Sequence, residues 1–368
     1  VASAVGGRLV GGDIAVDRVT QDSREIDPSA GSWLFVPLVA ERNGHDFLPT
    51  AIGAGAVATF AAQPVDAGDA VVIEVASTGE ALTALGAAAR DRLGEAAVIG
   101  ITGSVGKTTT KDLLAAVLRR DRTTHANPRS FNNEIGVPLT LLGAPDDSCA
   151  VVLEMGARGV GHIATLCRTA RPTVGIVTTV GKAHTSEFGN VESVALGKGE
   201  LVESLPVEGF AVLNADNPYV ASMADRTEAS VVTFGDAGEV RAEAVTIAED
   251  LIPSFRLASP WGDVNVRLGV QGDHLIPNAL AAAAAALPLG ISLERLAAGL
   301  EEPDRSPMRM AMKTAPSGAR IIDDTYNANP LSVAGAIEAL AIVPAGRKVA
   351  VLGVMAELGE SSCADHER

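Results

Sequence analysis

A glycine-rich loop joins an apolar run to a helical pattern in Ile99-Gly100-Ile101-Thr102-Gly103-Ser104-Val105-Gly106-Lys107-Thr108-Thr109-Thr110. The apolar run at 96–101 is typical of a buried strand, and apolar residues recur at helical spacing from Leu113 to Leu118. In such a unit, backbone N–H groups point into the loop, the helix N-terminus attracts anions, and a lysine neutralises phosphate charge. The Thr108 hydroxyl can bind Mg²⁺, although Ile101 replaces the first glycine of the usual pattern. We therefore predict a loop that binds a nucleoside triphosphate through Gly103, Ser104, Val105, Gly106, Lys107, Thr108 and Thr109.

The composition indicates a folded α/β protein of about two or three domains. Of its 368 residues, 47% are hydrophobic and 3% aromatic, which suits layers packed by alanine, valine and leucine. A net charge of −16 argues against nonspecific binding to nucleic acid or to an anionic membrane. No apolar run is as long as a membrane span, and the three cysteines, without a CxxC pair, are typical of free thiols. We therefore expect a cytoplasmic protein that binds no nucleic acid and does not insert into membranes.

Strand and helix patterns divide the chain into three predicted domains. Short strands fill the first domain, and a helix at 78–93 leads out of it. The central domain alternates short buried strands with helices, as in a parallel sheet. Its strands are predicted at 96–101, 150–153, 174–180 and 211–213, followed by an alanine-rich helix at 279–287. The last domain has a strand at 320–323, a helix at 332–342 and a strand at 348–352, a single βαβ step that cannot bury a sheet alone. The predicted domains are 1–83, 84–302 and 303–368, the last of them incomplete.

Glu154, His184 and Lys198 are candidates for chemistry beside the loop. Glu154 ends a buried strand, where it is either a Mg²⁺ ligand or a solvated strand end. His184 follows the strand at 174–180 and is either a structural histidine or a metal ligand. Lys198 is one of six lysines and lies at the start of a helical pattern. The alternative interpretation is that Lys198 lies at the surface and pairs with Glu200 or Glu203.

Motifs along nearly the whole chain resemble the Mur ligase family. They are the loop at 103–110, Asn132-Asn133-Glu134-Ile135-Gly136-Val137-Pro138, Glu154-Met155-Gly156-Ala157, Ala183-His184, Asn214-Ala215-Asp216-Asn217, and Gly272-Asp273-His274 with Asn278-Ala279-Leu280. The first domain matches at Asp22-Ser23-Arg24, Leu34-Phe35-Val36 and Gly44-His45-Asp46-Phe47. The MurF type is indicated by Asp323-Asp324-Thr325-Tyr326-Asn327-Ala328-Asn329-Pro330. Two departures are Met308, where the family often has glycine, and Val354, where an acid is common.

The resemblance implies a three-domain architecture and a reaction. A small α/β N-terminal domain would bind the UDP-linked substrate, a central P-loop ATPase-like domain with a parallel sheet would bind ATP, and a Rossmann-like C-terminal domain would close over both. The family's third domain normally continues past residue 368, so we expect it to be truncated here. The implied activity is an ATP-dependent ligase that joins D-alanyl-D-alanine to a UDP-N-acetylmuramoyl-tripeptide in peptidoglycan synthesis, through an acyl phosphate. Two Mg²⁺ ions and a monomeric state are expected.

The resemblance also implies roles for individual residues. Lys107 would hold the β- and γ-phosphates of ATP. Thr108 and Glu154 would bind one Mg²⁺ ion, and His184 would bind a second. Lys198 matches a lysine that CO₂ converts to a carbamate in family members. Such a change turns a cation into an anion that tolerates Mg²⁺ beside it. Asn278, Arg309 and Asp323 match residues that reach adenine, γ-phosphate and ribose. The predicted substrate contacts are Ser23, Arg24, Asn132, Asn133, Ser186, Tyr326, Asn327 and Asn329.

Three alternatives to the MurF type remain at this point. A sister Mur ligase that adds a single diamino acid to the UDP-muramoyl-dipeptide is disfavoured by the motif at 326–330. A ligase similar to folylpolyglutamate synthetase is disfavoured because that family lacks such a first domain. A nonenzymatic regulator would bind ATP without consuming it. Ser23 and Arg24 have their own alternative, a simple turn at a strand end.

Overall fold

The computed structural model of the chain describes residues 1–128, 131–181, 188–304, 306–356, 358 and 362–367. The chain divides into two compact units. The first unit holds Val1–Glu95, Phe131–Asp147 and Arg168–Ala170, and the second holds the remaining described residues. The predicted domain boundaries, 1–83, 84–302 and 303–368, stay predictions.

Helices and strands alternate along most of the chain. The strands are β1 (Arg8–Val10), β2 (Arg18–Thr20), β3 (Trp33–Phe35), β4 (Ala56–Ala61), β5 (Val71–Glu74), β6 (Ala97–Thr102), β7 (Thr124–Ala126), β8 (Ala150–Glu154), β9 (Val174–Val177), β10 (Phe210–Asn214), β11 (Ser230–Phe234), β12 (Arg241–Ile247), β13 (Pro253–Ser259), β14 (Gly262–Arg267), β15 (Ala311–Thr314) and β16 (Arg320–Asp323). The helices are α1 (Leu48–Gly53), α2 (Thr78–Arg92), α3 (Lys107–Arg119), α4 (Gly136–Gly143), α5 (His162–Ala170), α6 (Val191–Glu203), α7 (Pro218–Ala221), α8 (Ile276–Ala286), α9 (Leu293–Glu301), α10 (Pro330–Ile342) and α11 (Ser362–Glu367).

The first unit is built on a five-stranded sheet in the order β1-β5-β4-β3-β2. Strands β2 to β5 pair in parallel, and β1 pairs antiparallel with β5. One face of α2, with Leu82 and Leu85, packs with Leu34 and Phe60 of the sheet in a single apolar cluster. The α/β character predicted for the first domain is confirmed.

The second unit is built on a six-stranded parallel sheet in the order β11-β10-β9-β6-β8-β7. Every residue of β8 and β9 is buried, which explains their continuous apolar sequence. Strand β6 lies between β8 and β9, so the chain leaves it towards one side of the sheet and returns on the other. Ligands bind at such a reversal, outside the carboxyl ends of the strands. The loop after β6 therefore meets Glu154 at the end of β8 and the segment that follows β9.

The last part of the second unit departs from the prediction at one point. Strand β16 and helix α10 form as predicted, and β16 pairs antiparallel with β15. The predicted strand at 348–352 is wrong, since these residues are not in a strand and Val351 is 92% exposed. A strand needs a hydrogen-bonded neighbour, and within the described residues β15 and β16 pair only with each other.

No helix among the described residues combines the length and the apolar character needed to cross a bilayer.

Candidate functional site

A cavity of about 340 Å³ lies in the second unit, at the carboxyl ends of the central strands. Many of the residues predicted from the sequence line it together. They are Ser104, Val105, Gly106, Lys107, Thr108, Thr109, Glu154, Asn278, Arg309, Asn327 and Asn329. Lining residues for which the sequence predicted no role include Thr178, Thr179, Asn214, His274 and Asp324. The phosphate-type loop and part of the motif at 323–330 thus face one space.

The loop after β6 requires glycine at two positions. Gly103 has a φ of 152° and Gly106 a φ of 84°, in the region that side chains rarely adopt. A Cβ atom at Gly103 would also collide with Thr178 Oγ1, and one at Gly106 with the amide of Asn278. Helix α3 begins directly afterwards, and Lys107 Nζ donates to the Gly103 carbonyl at 2.8 Å. The result is a tight loop at a helix N-terminus, with a lysine across it, suited to phosphate.

The loop is braced by the segment that follows β9. Ser104 N donates to the Thr179 carbonyl at 2.8 Å, and Thr178 Oγ1 donates to the Val105 carbonyl at 2.6 Å. Asn214, at the end of β10, donates in turn to the Thr178 carbonyl at 2.8 Å. Three neighbouring strands therefore contribute to the position of the loop, which explains why Thr178, Thr179 and Asn214 line the cavity.

Thr108 and Glu154 supply two oxygen atoms that suit Mg²⁺. Thr108 Oγ1 donates to Glu154 Oε2 at 2.8 Å, and both side chains are buried. The Glu154 backbone N–H donates to Asn127 Oδ1 at 2.8 Å, which fixes the end of β8. Mg²⁺ prefers oxygen ligands and is often held through one or two protein side chains, waters and substrate phosphates. Within the described part of the chain, no three His, Cys, Asp or Glu side chains are grouped as a metal site, and His184 lies outside the described residues.

Lys198 lies on α6 and is 2% exposed. Among the described residues, none forms a hydrogen bond or an ion pair with its Nζ. Burial, and next the charge of Lys107, hold the pKa of Lys198 well below its ordinary value of 10.5. The alternative of a surface lysine paired with Glu200 or Glu203 is therefore wrong, and Glu203 pairs with Arg226. Glu200 Oε2 instead accepts a hydrogen bond from Ala164 N of α5, at 2.9 Å.

Asn278 and Arg309 reach the loop from two other elements. Asn278, in the first turn of α8, donates to the Gly106 carbonyl at 3.1 Å and to Thr110 Oγ1 at 3.0 Å. Arg309 Nη2 donates to Thr108 Oγ1 at 3.3 Å. The Arg309 guanidinium lies over the ring of Tyr326, 4.1 Å from its centre, in a cation–π contact.

The two aspartates after β16 have different surroundings. Asp323 is not among the cavity residues, and its hydrogen bonds with Lys313 and then Thr325 lower the pKa of its carboxyl. Asp324 lines the cavity, its Oδ1 accepts from Met310 N at 3.1 Å, and burial raises its pKa. The ribose contact predicted for Asp323 stays a prediction, and of these two aspartates Asp324 is the one that lines the cavity.

His274 is a cavity residue that the sequence reasoning quoted in a motif but gave no role. It lies in a short turn before α8, and its ring packs against Gly335 of α10, where a Cβ would approach it to 3.0 Å. Its buried Nδ1 has no hydrogen-bond partner among the described residues, and burial lowers its pKa. The motif Gly272-Asp273-His274 was the signal that could have identified it.

The other predicted substrate residues lie elsewhere or have local partners. Ser23 and Arg24 lie in a short turn of the first unit, where Arg24 pairs with Asp22 at 2.6 Å. Asn133 accepts from Gly136 N at the start of α4, at 2.9 Å. Asn329 caps α10 through Ser332 N at 3.0 Å while it lines the cavity. Asn132 belongs to the first unit and Ser186 lies outside the described residues, so the roles of all these residues stay predictions.

Known proteins are similar to this chain over its whole length. Residues 101–286 match the Mur ligase middle domain, and residues 308–368 match the Mur ligase glutamate ligase domain. The UDP-N-acetylmuramoyl-tripeptide–D-alanyl-D-alanine ligase of Mycobacterium tuberculosis is 42% identical over 403 aligned residues, with 100% of this chain and 79% of that protein covered. The ligase of the same name from Escherichia coli is 36% identical over 365 residues, with 98% of this chain and 79% of that protein covered.

Two solved structures agree with this match. A crystal structure of MurF from Acinetobacter baumannii has a TM-score of 0.91 and 32% identity, and covers 99% of this chain and 80% of that chain. The crystal structure of the MurF ligase from Thermotoga maritima in complex with ADP has a TM-score of 0.83 and 32% identity, and covers 96% and 81%. The predicted Mur-type α/β architecture is confirmed. The family-model match, the sequence identity and the structural similarity show that the chain belongs to the Mur ligase family and is of the MurF type.

Proposed function

We propose that this protein uses ATP to join D-alanyl-D-alanine to the terminal carboxylate of a UDP-N-acetylmuramoyl-tripeptide, giving ADP and phosphate. One observation carries the proposal. Asn327 and Asn329, from the motif that indicates the MurF type, line the same cavity as Lys107 and Thr108 of the phosphate loop. The names of the Mycobacterium tuberculosis and Escherichia coli relatives favour this activity over the addition of a single diamino acid.

The reaction needs an activated carboxyl group. A carboxylate is a poor electrophile, so one of its oxygens first attacks the γ-phosphorus of ATP, and ADP leaves. The amine of D-alanyl-D-alanine then attacks the acyl phosphate, an amide forms, and phosphate leaves with a proton lost from the amine. Such steps depend on positioning and on charge neutralisation rather than on covalent protein chemistry.

Lys107 and Arg309 supply the positive charge for phosphoryl transfer. Lys107 begins α3, whose N-terminal N–H groups also face the loop. Arg309 lines the same cavity and donates to Thr108 Oγ1. Together they would flank the γ-phosphate and stabilise the charge that develops as it transfers. Asn278 and Asp324 line the same cavity and are our candidates for the adenosine end.

Thr108 and Glu154 would hold a Mg²⁺ ion through their side-chain oxygens. When bound, the ion would neutralise charge on the phosphate oxygens of ATP. The contact between Thr108 Oγ1 and Glu154 Oε2 supports this role, since the two oxygens are already adjacent. A second Mg²⁺ at His184 stays a prediction.

Lys198 would act as a carbamate. Burial favours the neutral form of the Lys198 amine, and a neutral amine can attack CO₂ to give a carbamate and a proton. The new carboxylate would place negative charge near Lys107, whose charge acts on Lys198. The arrangement thus replaces repulsion between two lysines by attraction.

The remaining parts of the proposal concern the substrate and the setting. Ser23 and Arg24 would bind the uridine end, and Asn132, Asn133 and Ser186 would contact the rest of the precursor. Tyr326, Asn327 and Asn329 would contact the peptide ends. We also propose that the protein works as a monomer in the cytoplasm, where ATP is available.

A substrate panel tests the proposal. The protein is incubated with ATP and Mg²⁺, and with UDP-N-acetylmuramoyl-dipeptide or -tripeptide, and phosphate release and product mass are measured. D-alanyl-D-alanine and single diamino acids are compared as acceptors. We expect phosphate release and a product only with the tripeptide and D-alanyl-D-alanine. Product from the dipeptide and a diamino acid would support the sister ligase, and ATP binding without phosphate release would support a regulator.

A further inference from the structure

The chain between α9 and β15 follows helix α3 in the opposite direction. We name residues 302–304 and 306–309 the connector. Its contacts with α3 occur in order: Glu302 with Arg120 at 2.6 Å, Asp304 with Arg119 at 3.0 Å, Ser306 N with Asp112 Oδ2 at 3.0 Å, and Arg309 Nη2 with Thr108 Oγ1 at 3.3 Å. Because α3 begins at the phosphate loop, the connector ends with Arg309 at that loop.

Asp112 differs from the acidic residues in the other contacts. Its side chain is 15% exposed, whereas those of Asp304 and Glu302 are 89% and 74% exposed. Exposed ion pairs contribute little to the position of a chain, because water screens them and the side chains move. A shielded carboxylate that accepts from a backbone N–H forms a stronger, charge-assisted bond. The bond from Ser306 to Asp112 is therefore the contact that can fix the connector backbone.

The Asp112 carboxylate is itself oriented by a second partner. Lys111 Nζ lies 3.1 Å from Asp112 Oδ1 and donates to the Asn127 carbonyl at 2.9 Å. Asn127 in turn accepts from the Glu154 backbone N–H. The acceptor for the connector thus belongs to the same polar cluster that fixes the end of β8.

We propose that Asp112 is a positioning residue, which holds the connector so that Arg309 reaches the phosphate loop. Asp112 is absent from the cavity beside Lys107 but lines a small gap of about 20 Å³ with Ser306 and Arg309. Asp112 fixes the backbone three residues before Arg309, and the ring of Tyr326 fixes the Arg309 guanidinium from the other end. The inference rests on the proposed function in one respect, since it takes Arg309 to act on the transferring phosphate.

Four variants test the proposal through activity. Asp112→Ala should lower kcat for phosphate release roughly tenfold or more, because a hydrogen bond to a charged group stabilises a structure by about that factor and its loss would release the connector that positions Arg309. Asp112→Asn keeps an acceptor for Ser306 N and should keep most of the activity. Ser306→Pro removes the same bond from the other partner, because proline has no N–H, and should match Asp112→Ala. Asp304→Asn is the matched control on the exposed part of the connector and should behave as wild type.

Combination with Arg309→Ala shows whether Asp112 acts through Arg309. If it does, Asp112→Ala should reduce kcat little further when Arg309 is already absent. Effects that multiply in the double variant would overturn the proposal, as would an unchanged kcat in Asp112→Ala and Ser306→Pro.

Amide hydrogen exchange gives a readout that does not depend on activity. The amide of Ser306 and the peptide around it should exchange faster in Asp112→Ala than in wild type and Asp112→Asn. Equal exchange in all of them would show that Asp112 does not hold the connector. If the wild-type protein forms no ligation product, the proposed function fails, but this comparison still decides the role of Asp112. If Asp112→Ala does not fold, Ser306→Pro carries the activity test, and the exchange test is then read at the remaining amides of the connector.

Discussion

Replacement of Lys198 by methionine should stabilise the protein and remove its ligase activity. The Lys198 side chain is 2% exposed, and no described residue pairs with its Nζ. A polar group buried without a hydrogen bond costs about 1–3 kcal/mol, and methionine fills a similar unbranched space without the amine. We therefore expect the free energy of unfolding of Lys198→Met to exceed that of wild type by at least about 1 kcal/mol in buffer freed of CO₂.

The stability that Lys198→Met gains over wild type should decrease as the pH rises. Burial lowers the pKa of Lys198 in the folded protein, whereas the unfolded chain keeps an ordinary value near 10.5. Between the pKa of Lys198 in the folded protein and its pKa in the unfolded chain, the unfolded state binds more protons. The free energy of unfolding of the wild type therefore rises with pH in this range. The stability difference between Lys198→Met and wild type should consequently shrink as the pH is raised from 7 towards 10.

Urea unfolding and phosphate release measure the two effects separately. Lys111→Met is the matched control, since Lys111 is also buried but pairs with Asp112 and donates to the Asn127 carbonyl. It should destabilise the protein, because its partners are left unsatisfied. A loss of stability in Lys198→Met as large as that in Lys111→Met would refute the reasoning about Lys198.

The carbamate role has a separate test with the smaller variant. Lys198→Ala should lose most activity, and short carboxylic acids should restore part of it by occupying the space of the carbamate. Full activity in Lys198→Met, or no rescue of Lys198→Ala, would remove the carbamate from the mechanism.

Three further predictions concern Lys107, Thr108 and His45. Lys107→Ala should reduce phosphate release to background with an unchanged circular dichroism spectrum, since its charge acts in the transition state, and activity within a few-fold of wild type would contradict this. Thr108→Val keeps the volume but removes the hydroxyl beside Glu154, so the Mg²⁺ concentration for half-maximal phosphate release should rise roughly tenfold. An unchanged Mg²⁺ requirement would exclude Thr108 as a ligand. His45 Nε2 accepts from Ala62 N and burial lowers the His45 pKa, so the unfolded state binds more protons and stability should fall as the pH drops through about 6.5. His45→Gln should weaken this fall in urea unfolding between pH 8 and pH 5.5, and equal slopes would refute the assignment.

The phosphate loop was predictable because its determinants are local. Gly103 and Gly106 are required by their own backbone angles, and Lys107 follows them at the helix start. Glu154 was predictable for a related reason, since parallel strands end at one edge of a sheet and a carboxylate at the end of a buried strand must lie there.

Other features depend on contacts that the sequence does not encode locally. Lys198 lies between Gly197 and Gly199, and only the fold reveals that this part of α6 is covered, with Phe188 and Arg226 against the two glycines. Asp323 and Asp324 are neighbours at the end of β16, where successive residues point to opposite sides, so the pattern alone does not decide which one faces the cavity. The apolar run at 348–352 has the composition of a strand but no partner among the described strands.

Isotope transfer tests the proposed reaction most directly. The terminal carboxylate of UDP-N-acetylmuramoyl-tripeptide is labelled with ¹⁸O, and the phosphate released during ligation to D-alanyl-D-alanine is analysed by mass spectrometry. Because a carboxylate oxygen attacks the γ-phosphorus and leaves with it, each amide formed should yield one phosphate that carries a single ¹⁸O atom. Unlabelled phosphate, or phosphate released without an amide product, would contradict the acyl-phosphate ligase that we propose.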